Sequence, residues 1–139
     1  MNLEWQLDEE EGPLKADNLM GYLSLGSGDG LIEEHDIYLD SWLLALVNGL
    51  KGVEAGKRTP VQIEEELYPL IFEPEGAGFQ VTFQAASVTI PDTAAFRKLL
   101  YSTCREFMRD VFSRLEGPRN EPLMCLYDFA GKNPTPPGP

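Results

Sequence analysis

Between Asp92 and Leu115 apolar side chains recur every three or four residues: Phe96, Leu100, Cys104, Phe107, Val111 and Leu115, widened by Leu99, Thr103, Met108 and Phe112. Arg97, Lys98, Ser102, Arg105, Glu106, Arg109, Asp110, Ser113 and Arg114 take the remaining positions. A stripe of that period and width demands a helix with one buried face, so the rest of the chain must supply a surface for it to cover. Asp92 stands where an N-cap belongs, and Gly117-Pro118 stops the helix.

That surface reads as antiparallel sheet. Phe79, Val81 and Phe83 alternate with Gln80, Thr82 and Gln84, and Val88 and Ile90 alternate with Ser87 and Thr89. With Pro74–Gly78 and Ala85-Ala86 as turns, residues 67–90 predict a three-strand meander. Leu3, Trp5 and Leu7 predict a half-buried first strand, and residues 19–25 a second that ends at Gly26-Ser27-Gly28-Asp29-Gly30. Residues 31–38 fit either the return strand of a hairpin or a direct lead into the next helix. Residues 59–64 carry a short alternation, and Pro69 argues for an edge or bulge beyond it.

A second helix is expected from Asp40 to about Val53, because Leu39, Trp42, Leu43, Leu46, Val47, Leu50 and Val53 share one face. Asp36 or Asp40 is the expected N-cap, and Gly52 or Gly56 the C-cap. Gly49 inside this helix costs about 1 kcal/mol against alanine. Leu123–Tyr127 reads as a short strand or packed turn. The expected fold is α+β: one antiparallel sheet of about five or six strands with two helices packed on one face. Residues 1–130 form one domain, and residues 131–139 a disordered tail rich in proline and glycine.

Charge then narrows the partner. The 139 residues carry a formal charge of −12, and residues 1–40 hold eleven acids against the single base Lys15. Such a surface repels nucleic acid and anionic membrane and attracts basic protein, although acidity also serves solubility alone. The longest apolar run, Trp42–Val47, is too short to span a bilayer. No export signal is visible at Met1–Trp5, and Cys104 and Cys125 form no motif, so free thiols in a reducing cytoplasm are expected.

Catalytic constellations are sparse. His35, the single histidine, lies in Glu33-Glu34-His35-Asp36, where adjacent side chains diverge; a metal would need distant ligands, and no nucleophile stands at a recognisable spacing. The glycine cluster lacks a P-loop lysine, and its Asp29 opposes phosphate. These features point to a non-enzyme with no cofactor or metal. Glu64, Glu65 and Glu66 read as a charged, solvated edge strand or as a ligand for a cation or a basic patch. Tyr22, Tyr38 and Tyr68 stand beside acids, a setting that suits interface anchors, whereas Trp42 belongs to the core. The expected partner-binding set is Tyr22, Glu33, Glu34, Asp36, Tyr38, Glu64, Glu65, Glu66 and Tyr68. Pro134–Pro137 reads as a plain disordered end, or as a ligand for a proline-binding groove.

Two stretches carry a family resemblance. Tyr38–Leu46 with Gly49-Leu50 and Gly56 is one; Phe79–Phe83 and Val88–Ile90 with Phe96 and Cys104-Arg105-Glu106-Phe107 is the other. Over roughly residues 36–115 they resemble small acidic immunity-type proteins of bacterial toxin systems and related uncharacterised bacterial domains. The resemblance implies a cytosolic protein that inhibits a cognate toxin by binding it, and the charge of the chain adds the expectation that this partner is basic. Length and acidity are also similar to secretion-type chaperone dimers, though those open with a helix where residues 2–8 here alternate as a strand. A small oligomeric domain, such as a homodimer joined through an apolar patch, is the remaining alternative.

Overall fold

The computed structural model describes residues 1–131. Strand β1 (Asn2–Leu7) is followed by a single 3-10 turn at Ala16–Asn18, then by the hairpin β2 (Met20–Ser27) and β3 (Gly30–Tyr38), and by helix α1 (Leu39–Glu54). Strands β4 (Thr59–Val61), β5 (Leu70–Glu75), β6 (Gly78–Phe83) and β7 (Ala86–Ile90) precede α2 (Thr93–Arg114), α3 (Glu121–Leu126) and a wide terminal turn at Tyr127–Gly131.

The class is α+β, as expected, but the single sheet is corrected to two antiparallel sheets, ordered β1-β2-β3 and β4-β5-β6-β7. Their facing edges, β3 and β7, lie side by side without a ladder. A Cβ on Gly30 would stand 2.5 Å from the Ser87 carbonyl oxygen and 3.0 Å from the Val88 Cα. Backbone is thus packed on backbone there, which a residue with a side chain would prevent.

Helix α2 lies against β1 and β6, and α1 against β2, β3, β4 and β5, so the helices bridge both sheets. The stripe residues Phe96, Leu100, Cys104, Phe107 and Val111 are all fully buried, as are Phe79, Val81, Phe83, Val88 and Ile90 across from them. Asp92 caps α2, accepting from the amides of Ala94 (2.9 Å) and Ala95 (3.3 Å). Helix α1 ends in a Schellman motif: Lys57 N–H reaches Gly52 O, Gly56 N–H reaches Val53 O, and Gly56 sits at φ +76°.

Four local expectations are revised. Neither Asp36 nor Asp40 caps α1; the cap position is Tyr38, without a side-chain bond, and Asp40 is buried in the first turn. The alternation of Val61 and Ile63 does not extend a strand, because β4 ends at Val61 and residues 62–69 form a loop. Residues 121–126 are a helix capped by Asn120 rather than a strand. Gly131, assigned to the tail, is buried at the end of the terminal turn; residues 132–139 lie outside the described residues, Pro134–Pro137 among them.

Candidate functional site on the β1–β2–β3 sheet

The β2–β3 ladder runs in register from Ser27↔Gly30 to Leu23↔Glu34, then resumes at Gly21↔Ile37. His35 and Asp36 therefore oppose the single residue Tyr22, and Asp36 adopts φ +56°. This is a β-bulge with its extra residue in the left-handed region, which aspartate tolerates better than most. The bulge resets the alternation. Ile32 and Ile37, five apart, both point inward (2% and 3% exposed), while Glu33 and His35 remain on the solvent face.

On that face the His35 ring lies 4.7 Å from the Tyr22 ring, and Tyr22 Oη donates to Glu33 Oε2 at 2.7 Å. A hydrogen bond with Ser24 pulls the Tyr22 phenol down, but its bond to Glu33, partial burial and the charges of Glu33 and Glu4 together hold it above its ordinary value. Gln6, Asp8 and Glu10 complete an open groove of about 540 Å³ whose lining includes no lysine or arginine. Gln6 Nε2 donates to Glu10 Oε1 at 2.6 Å. Arg114 is spent elsewhere: it donates to the carbonyls of Glu9 and Gly12 and pairs with Asp110 at 3.0 Å, fastening the acidic 9–12 turn to the end of α2.

A second acidic group lies over the start of α1. The Gln62–Pro69 loop is pinned from within: Ser41 Oγ donates to Glu65 and Trp42 Nε1 to Glu66, both at 3.3 Å, while Gln62 Nε2 donates to the Glu66 carbonyl at 2.7 Å. Glu34, on the opposite side of β3 from Glu33, faces this loop. Partial burial and then the Glu66 charge raise its carboxyl above the usual range, against the pull of His35. The loop's far side exposes Leu67 (90%) and Tyr68 (53%).

The nine expected site residues thus divide. Tyr22 and Glu33 join in the groove, and Asp36 stands exposed at the bulge beside it. Glu34, Glu65 and Glu66 gather at the 62–69 loop, where Glu64 and Tyr68 are exposed. Glu64–Glu66 are not an edge strand. Tyr38 is half-buried at the head of α1. Sequence reasoning missed Gln6, Asp8, Glu10 and His35 as groove residues, although the alternation of β1 already placed Gln6 on the solvent face. No helix among the described residues is long and apolar enough to cross a membrane. Comparison with protein-family models, curated proteins and solved structures yields no match for the chain.

Proposed function

We propose that this chain is a non-catalytic protein-binding module that holds a basic partner protein against the solvent face of the β1–β2–β3 sheet, as an immunity-type inhibitor does, in a reducing cytoplasm. The observation that carries the reading is the groove itself: Tyr22, Glu33, His35, Asp8 and Glu10 surround an open concavity with no lysine or arginine in its lining. A lysine or arginine side chain entering it meets carboxylates and two aromatic faces, a setting that suits charge pairing and cation–π contact together. Both cysteines are unbridged, which suits the compartment.

The test is retention of a partner from native extract by wild-type chain and by a variant reversing Asp8, Glu10 and Glu33 to lysine. A specific basic partner retained at one-to-one stoichiometry should lose about tenfold or more in affinity to the variant, and its association rate should fall as salt rises. Binding indifferent to both would leave the acidic face as a solvated surface and remove the proposal. A partner held only while unfolded would favour the chaperone reading.

A further inference from the structure

The β1–β2–β3 sheet ends at β1, six residues with no proline and no bulge. The phase of its ladder is fixed by Asp8, whose N–H bonds the Met20 carbonyl at 3.0 Å. Bonded and non-bonded pairs alternate in an antiparallel ladder. Gln6↔Tyr22, Glu4↔Ser24 and Asn2↔Gly26 are therefore the bonded pairs. The backbone N–H and C=O groups of Leu3, Trp5 and Leu7 consequently point away from β2. Among the described residues no other segment bonds the β1 backbone along that side. An unpaired edge of this kind is a template for a further strand.

The surroundings select the strand. Asn2, Glu4 and Gln6 flank the edge on the solvent face, and Asp8, Glu9, Glu10 and Glu11 continue from its end. On the other face lie Leu3, Trp5 and Leu7, with Trp5 stacked edge-on against Phe107 at 5.3 Å. A second copy of this chain is a poor occupant, since two bodies of charge −12 would be brought together. One of the self-pairings that keeps the faces matched would also set Glu4 against Glu4. We propose that the edge of β1 takes an extended segment of the basic partner in which lysine or arginine alternates with apolar residues. The basic side chains then lie beside Glu4 and the apolar ones beside Trp5. This inference rests on the acidic-face reading and adds to it the mode of attachment.

The probe is a blocked peptide of about seven residues alternating lysine and valine, added to the full chain at low salt. Two versions follow, one N-methylated at every valine amide and one at every lysine amide. Each methylation blocks one edge of the peptide strand, and only one edge can face β1. The expected result is binding of the parent, loss of about tenfold or more in affinity for one methylated form alone, and slowed amide exchange at Leu3, Trp5 and Leu7. Failure of the parent to bind, equal binding of both methylated forms, or loss in both would overturn strand addition. So would protection confined to Tyr22 and His35. Equal binding of both forms that is lost when Asp8, Glu10 and Glu33 are reversed would leave the acidic-face reading standing and remove only the edge.

Discussion

Gly49 makes room for Phe72: a Cβ at position 49 would stand 2.2 Å from the Phe72 ring. The ring cannot move aside, because Phe72 is fully buried and packs on Phe79 at 5.8 Å. Helix propensity alone favours alanine at this position by about 1 kcal/mol. Packing reverses the sign. Gly49→Ala is expected to destabilise the chain by about 1–2 kcal/mol net, the overpacking cost exceeding the propensity gain. Urea unfolding measures it, and a double-mutant cycle with Phe72→Leu should show strong non-additivity, since the smaller side chain relieves the clash. A stabilised Gly49→Ala would show that α1 and β5 are further apart than described.

Phe107 ties the long helix to the first strand through its edge-on contact with Trp5, and none of its surface is exposed. Phe107→Ala is expected to cost about 3–5 kcal/mol in equilibrium unfolding. A loss below about 1 kcal/mol would mean that α2 presents another face to the sheets.

Where burial is one-sided and regular, the sequence was readable. The α2 stripe, its Asp92 cap and the β6–β7 alternation all describe elements whose inner and outer positions differ sharply in character. Residues 31–38 were ambiguous for a physical reason: the bulge at His35-Asp36 puts Ile32 and Ile37 five apart on one face, which matches neither a period of two nor a helical step. Helix α3 is too short for periodicity to register. Its one signal was local, since Asn120 accepts from the Leu123 amide and Pro122 occupies the first turn. The split into two sheets was not legible, because nothing in an alternating pattern says whether β3 and β7 share a ladder or merely touch. For the candidate site, acid composition pointed at the first third of the chain. The separation of Glu33 from Glu34 to opposite sides of β3 follows from alternation once residues 30–38 are taken as strand, whereas the return of Ile37 to the inner face required the bulge to be known.

The two thiols should behave very differently. Cys104 is fully buried on the inner face of α2, and burial pushes its thiol far above the ordinary value. Cys125, on α3, is half-buried. A thiol-reactive disulfide reagent at mildly alkaline pH should therefore modify one cysteine in the native state and reach Cys104 only through opening of the core. Prompt reaction of both would mean that α2 opens locally. Cys104→Ser would place a hydroxyl in the apolar core and is expected to cost about 1–3 kcal/mol.

Asp40 carries the clearest pH dependence. It is 3% exposed in the first turn of α1, and among the described residues its Oδ1 has no hydrogen-bond partner. Its Oδ2 accepts from Asn120 Nδ2 at 2.7 Å, and the same amide donates to the Ala16 carbonyl at 2.8 Å, joining α1, the 3-10 turn and α3. Burial raises the carboxyl above its ordinary 3.8, outweighing Asn120 and the nearby amides of Ser41 and Asp40, while the Glu65 charge adds to the rise. A folded-state value above the unfolded one means that folding favours the protonated form. The favourable contribution is complete below pH about 3.8 and disappears as pH rises through the raised folded value. At neutral pH the buried anion is thus a cost. Asp40→Asn keeps the shape and an oxygen for Asn120 while removing the charge. Its stability relative to wild type should be greatest at neutral pH and should decline steadily as pH falls toward the ordinary aspartate range. Acid titration of the other carboxylates acts on both chains and cancels in the difference. Paired urea curves between pH 7 and 4 read that difference directly; a gap that stays constant across the range would show that Asp40 titrates as an exposed residue does.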